Sequence, residues 1–155
     1  MTTRGDKVLK LASQLIKQLK PHSKKISIAG SIRRHSLSPG DIDIVLIPKD
    51  REKLHKFMSK KANFVQGGKN ESSWKIKNVQ VELYYTNEEE WGATLLSYSS
   101  PKGSEIGLRI ISKNKGFRLS SHGLFNRRTG KRIAGKTEKE IYKALGRPYK
   151  EPWNR

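Results

Sequence analysis

Apolar residues near the start of the chain fall at Val8, Leu9, Leu11, Ala12, Leu15, Ile16 and Leu19. This spacing predicts an amphipathic helix over residues 6–20, stopped by Pro21. "KISIAG" (25–30) reads as a short strand ending on glycine, followed by a polar loop. In "DIDIVLIP" (41–48) the period shortens to two, which puts Ile42, Ile44 and Leu46 on one face of a strand. "DREKLHKFMSKKA" (50–62) predicts a helix with Asp50 at its N-cap. A short strand from Asn63, a glycine turn and two strands at about 73–77 and 79–85 complete the first half.

The second half is more helical. Asn87, with Glu90 three residues on, predicts the cap of a helix running to about Ser99. A further helix is expected from about Pro101 to Asn114, stopping at Gly116. "GLFNRRTGKRIAG" predicts a hairpin turned at "RTG", and Thr137, Glu140 and Gly146 bracket a last helix. The expected class is α+β: a mixed sheet with helices on one face over residues 1–86, then a small, mainly helical lobe with a short hairpin over 87–155.

Composition narrows the partners. Lysines and arginines number 33 against 14 acids, a formal charge of +19 on 155 residues. An excess of this size opposes folding by self-repulsion and implies a polyanionic partner. Nucleic acid is the first expectation, since displaced counterions supply much of its affinity. An anionic membrane is the rival. The basic N-terminal helix keeps it open, but no lipidation motif, apolar span or signal peptide supports it, so no membrane partner and an intracellular location are expected. With no cysteine, disulfides, thiolate zinc sites and thiol catalysis are excluded.

The candidate chemistry lies in "GSIRRHSLSPGDID" (30–43). Residues i and i+2 of a strand share a face, so Asp41 and Asp43 project together. Close carboxylates repel unless a cation lies between them. Mg²⁺ suits such a pair, because it accepts a few carboxylates and completes its shell with water and phosphate oxygens. In "VQVELYY" Glu82 points away from Val81 and Leu83 and offers a third acid. A bare Asp-x-Asp is more often the polar side of a strand, but the preceding residues tip the balance. Gly30 and Gly40 permit close backbone approach, Ser31 can donate to a phosphate, and Arg33 and Arg34 present forked donors. Basic groups on a loop with acids on the next strand fit a metal-bound nucleoside triphosphate.

"GSIRRHSLSPGDIDIVL" resembles the signature of the polymerase-beta-like nucleotidyltransferases: Gly-Ser, a spacer with arginine, then Gly-Asp-x-Asp. "WGATLLSYSS", "GSEIGLRIISKNKGFRLSSHGLF" and "RIAGKTEKEIYKALGRPYKEPWNR" resemble the thumb of DNA polymerase family X in order and spacing. The resemblance runs from about residue 7 to 155. It implies a palm (1–86) and a thumb (87–155) without the lyase and helix-hairpin-helix domains of the cellular enzymes, as in the reduced viral members.

On this resemblance Asp41 and Asp43 bind two Mg²⁺ ions (or Mn²⁺), about 4 Å apart in such sites. Glu82 binds the catalytic ion and helps activate the primer 3′-hydroxyl. Gly30, Ser31, Arg34 and Gly40 bind the triphosphate, Tyr98 and Ser99 lie beside the incoming sugar, and Lys102 and Arg109 lie near the nascent base pair and minor groove. Lys113, Lys115, Arg118, Arg127, Arg128, Lys131 and Arg132 are candidate DNA contacts. The implied activity is template-directed addition of dNMP from dNTPs to gapped or primer-template DNA, filling short gaps in repair, by a monomer.

The chain departs from the family pattern at three places. Glu82 replaces the usual aspartate, Ser97-Tyr98-Ser99-Ser100 replaces Tyr-Phe-Thr-Gly, and Lys102 and Glu105 differ from the common residues. Tyr98 reads equally as a sugar barrier or a core aromatic, and His35 as a nucleotide contact or loop polarity. Two other functions stay open: a template-independent nucleotidyltransferase, and a non-catalytic DNA-binding protein of the same fold.

Overall fold

A computed structural model of the chain describes residues 2–155. Thr3 and Asp6 cap one another's backbone N–H groups reciprocally and fix the start of α1 (Arg4–Leu19). Val8, Ala12, Leu15 and Leu19 form its buried stripe, and Pro21 enters a 3-10 turn (Lys20–His22) that ends it. The chain then forms β1 (Ser23–Ala29), one helical turn α2 (Gly30–Arg33), β2 (Ile42–Pro48) and α3 (Arg51–Lys61). Asp50 caps α3 by accepting from the Lys53 N–H. β3 (Asn63–Gly67), β4 (Glu71–Ile76) and β5 (Val79–Tyr85) follow.

The strands order as β1-β2-β5-β4-β3. β2 runs antiparallel to β1 and parallel to β5, so the sheet is mixed. The parallel pair needs a crossover, which α3, β3 and β4 supply. Ile42, Ile44, Leu46, Val81, Leu83 and Trp74 pack with the buried residues of α1 and with Leu54 and Met58 of α3 in one core. Both helices therefore cover one face of the sheet, and the alternation of β2 and β5 turns Asp43 and Glu82 to the other.

The chain divides after Thr86 into a first unit and a second, Asn87–Arg155. The second holds α4 (Trp91–Ser99), α5 (Lys102–Asn114), β6 (Phe117–Ser120), β7 (Gly123–Asn126), β8 (Arg132–Ala134) and α6 (Glu138–Ala144), with a final 3-10 turn (Pro152–Asn154). Its own core gathers Ala93, Leu96, Leu124, Ile141, Tyr142 and Leu145. The Arg155 side chain is fully buried and pairs with Glu138 at 2.8 Å. Among the described residues no helix is long and apolar enough to cross a membrane.

Five local expectations are corrected. Residues 30–33 form a helical turn rather than a loop. β2 begins at Ile42, so Asp41 sits in a bend just outside it. Val45 and Ile47 are buried as well as Ile44 and Leu46, so the simple alternation ends at Asp43. The Asn87–Glu90 hydrogen bonds close a turn ahead of α4 instead of starting it. At the true start, the Gly92 and Ala93 N–H groups donate to the Lys136 and Gly135 carbonyls, partners remote in sequence. Finally, the expected hairpin forms as β7 and β8 but is not alone, because β6 pairs with β7 as a third strand.

Gly92 marks the tightest approach in the second unit. A Cβ there would lie 2.2 Å from the Thr137 carbonyl carbon and 2.5 Å from its nitrogen, and backbone cannot yield as a side chain can. Gly92→Ala is therefore expected to destabilise the chain by about 3 kcal/mol, read as a lowered denaturant midpoint. A midpoint within about 0.5 kcal/mol of wild type, on the scale of ordinary surface changes, would show that α4 and α6 do not meet this closely.

Candidate active site

The lateral register of the sheet builds the site. Asp43 faces Ala29 of β1 on one side and Glu82 of β5 on the other. Gly30, directly after β1, turns with φ +60, a conformation that favours glycine. A Cβ on Gly30 would lie 2.1 Å from Asp43 Oδ2, so the carboxylate occupies space that any other residue would fill.

The Asp43 carboxyl is perturbed. Burial above all, and then the neighbouring carboxylates of Glu82 and Asp41, push it up from an ordinary 3.8 to about 6. The Tyr84 hydroxyl, which donates to Oδ1 at 3.3 Å, and the Arg34 charge pull the other way. Glu82 is held from two sides. Ser73, its cross-strand partner on β4, donates to Oε2 at 2.6 Å, and the Gln80 side-chain amide donates to Oε1.

Three acids thus neighbour one another, but not as a preassembled cage. Among the described residues no three His, Asp or Glu side chains are grouped so that they could hold a metal ion. Asp41 is exposed in its bend, and Glu82 has both oxygens engaged. The expected convergence of Asp41, Asp43 and Glu82 therefore reduces to Asp43 with Glu82 beside it in register and Asp41 two residues before it. Ser31 and Arg34 stand half-buried in and just after α2, within the connection from β1 to β2. Gly40 is exposed, and a Cβ on it would meet nothing within 4 Å, so the protein itself imposes no close approach there.

The family profile described as DNA polymerase beta thumb matches residues 94–155. The chain is 30% identical over 152 residues to Repair DNA polymerase X of African swine fever virus (isolate Tick/South Africa/Pretoriuskop Pr4/1996), covering 92% of this chain and 86% of the viral protein. The chain belongs to the family X DNA polymerases. It is also 29% identical over 138 residues to the DNA polymerase/3'-5' exonuclease PolX of Bacillus subtilis (strain 168), over 84% of this chain and 24% of that one. DNA nucleotidylexotransferase of Xenopus laevis shares 31% identity over 84 residues, 54% of this chain and 16% of that protein. Of these three relatives, the viral protein is matched over the largest share of its own length.

The second unit holds the remaining family X candidates. The Ser99 hydroxyl is fully buried and without a hydrogen-bond partner, as is that of nearly buried Ser100, so neither is presented to solvent. Tyr98 is half-buried. Arg109 is exposed but pairs at 2.6 Å with Glu105 one helical turn before it. Lys102, Lys113, Lys115, Arg118, Arg127, Arg128, Lys131 and Arg132 are all exposed. Arg132 also donates to the His122 carbonyl and lies within 4.0 Å of Glu89 and Glu90.

Three supporting side chains escaped the sequence reading. Tyr84 and Gln80 share a face with Glu82 through the two-residue period of β5, so alternation alone could have found them. Ser73 could not be found that way, because its place opposite Glu82 depends on the β4–β5 register.

The donor set fits a divalent cation: a half-buried carboxylate lies among like charges, with glycine giving it room. Its raised pKa has a thermodynamic sign. Below 3.8 both native and unfolded chains hold the proton; between 3.8 and about 6 only the native one does, so stability falls as pH rises through that window. Above about 6 the full penalty of the charge remains, on the order of 3 kcal/mol. Asp43→Asn should therefore raise the melting temperature of the metal-free protein at about pH 8 and change it little at about pH 4. A melting temperature for Asp43→Asn no higher than wild type in the alkaline buffer would show that the carboxylate is not crowded.

Proposed function

We propose that the chain is a DNA-directed DNA polymerase that fills short gaps in DNA repair, joining dNMP to a primer 3′-hydroxyl with release of pyrophosphate. The observation that carries the reading is Asp43, cradled by Gly30 and in register with Glu82, in a chain aligned along most of its length with a viral repair polymerase.

Asp41 and Asp43, with Glu82 beside them, are the residues to hold Mg²⁺, or Mn²⁺ in its place. Mg²⁺ takes only one or two carboxylates when phosphates and water complete its shell, so a preassembled cage is not required. When bound, the metal supplies Lewis-acid stabilisation of the phosphoryl oxygens. Glu82 takes the proton of the primer hydroxyl, whose oxygen forms the new bond to the α-phosphorus while the bond to the β-phosphate oxygen breaks. Arg34 offsets negative charge on the departing pyrophosphate, and Gly30, Ser31 and Gly40 position the triphosphate through hydroxyl and backbone groups. In the second unit Tyr98 belongs beside the sugar, with the buried Ser99 behind it, while Lys102, Arg109, Lys113, Arg118, Arg127 and Arg128 contact DNA. The enzyme acts as a monomer inside the cell.

Primer extension on a one-nucleotide gapped duplex tests this directly. Wild type should incorporate the template-directed dNTP in Mg²⁺ or Mn²⁺, and Asp43→Asn should lose about a thousandfold, corresponding to several kcal/mol of charge stabilisation. Equal extension of a bare single strand would replace the reading with a template-independent transferase. Tight DNA binding without incorporation would replace it with a DNA-binding scaffold.

A further inference from the structure

Residues 1–86 carry eighteen lysines and arginines against seven acids, the larger share of the chain's positive excess, yet every DNA contact expected from the sequence lies beyond residue 101. The first unit holds a basic groove that the catalytic reading does not use. Arg4, Lys7 and Lys10 of α1 and Lys77 of the β4–β5 turn line it together with Gln14, over an apolar floor that includes Leu11 and Val79. Its volume is about 260 Å³, and no carboxylate is among its lining residues. The nearest acid of α1, Asp6, is committed to the Thr3 cap. Among the described residues none of the four cations forms an ion pair. Like charges gathered on one concave surface without counter-ions raise the local affinity for anions.

The position of the groove is informative. Arg4 makes long contacts with the carbonyls of Gly40, at 3.5 Å, and Asn78, at 3.4 Å, so it bridges the residue before Asp41 and the turn that enters β5. The groove therefore opens at the ends of the two parallel strands that bear the acids. Its cations are also spread out. Arg4 to Lys10 covers roughly 9 Å along a helix rising about 1.5 Å per residue. That suits a row of backbone phosphates, spaced about 3.4 Å along a duplex axis for each strand, better than the compact anion of a free triphosphate.

We propose that this groove is a second nucleic-acid seat, gripping the sugar-phosphate backbone of the DNA from the first unit; the inference rests on the DNA polymerase reading above. It would supply sequence-independent hold close to the chemistry, apart from the cations of the second unit.

The test is the salt dependence of gapped-duplex binding. Three proteins are compared: wild type, the groove variant Lys7→Gln/Lys10→Gln/Lys77→Asn, and a control with equal charge loss elsewhere in the first unit, Lys17→Gln/Lys20→Gln/Lys56→Gln. All six lysines are exposed, and Asn suits the positive φ at position 77, so both variants should fold, as a melting curve verifies. The groove variant should flatten the slope of log K against log salt by about 0.9 for each phosphate it no longer neutralises, roughly two to three in all. Its Kd near 0.1 M salt should be at least roughly tenfold weaker. The control should change the slope by less than half as much.

Equal slopes in the two variants would overturn the groove in favour of diffuse charge. A raised dNTP requirement with an unchanged DNA slope would also overturn it, in favour of a triphosphate site. If wild type extends primers while the groove variant keeps the wild-type slope, the groove falls and the polymerase reading stands. A groove-dependent slope without any nucleotide incorporation supports the groove and removes the polymerase reading.

Discussion

The one-to-one register of β2 against β5 is the constraint on which the site depends. It places Asp43 directly beside Glu82 on the sheet face turned away from α1 and α3. A fold under no functional demand would not set two carboxylates side by side with a third at the strand's start, because each raises the cost of charging the next. The arrangement persists because the opposite face is strongly held. Ile42, Ile44, Val81 and Leu83 are completely buried, and a one-residue slip would expose all of them. Hydrophobic register on one face thus enforces electrostatic crowding on the other.

The surroundings make that crowding specific to Asp43. Gly30 yields the space its carboxylate occupies, Tyr84 donates to one oxygen, and Arg34 supplies a nearby positive charge. Glu82 is restrained by Ser73 and Gln80 and is the only one of the three acids with both oxygens hydrogen-bonded to side chains among the described residues. Its extra methylene relative to aspartate lengthens its reach, and these two donors settle where that reach is spent. The charge distribution complements this. Both units are cationic, and in the first the cations of α1 and the β4–β5 turn that form no ion pair among the described residues share a groove at the end of the strands that carry the acids.

The second unit follows a different logic. Its tight joint is made by backbone: Gly92 lies against Thr137, and the free N–H groups of α4 donate to carbonyls more than forty residues downstream. The buried pair of Arg155 and Glu138 anchors the end of the chain beside α6. Such a pair costs more to break than it contributes to stability, since removing either partner leaves a buried charge.

What could be read from residue order was local. Periodicity located α1, α3, α5 and α6 to within about two residues, because caps and glycine or proline stops act within a few positions of themselves. The family signature singled out Asp41, Asp43, Ser31 and Arg34 as candidates, and the alternation of "VQVELYY" added Glu82, because phosphate and metal chemistry limits which residue types can serve. Tertiary structure decided what depends on distant partners. It set Ser73 opposite Glu82, opened the start of α4 to carbonyls from residues 135 and 136, added β6 to the hairpin, and buried Ser99. It also left the three acids as neighbours rather than a closed cage. Side-chain identity along the chain names the candidate ligands, whereas their mutual distances follow from strand register and packing, which no single stretch of sequence contains.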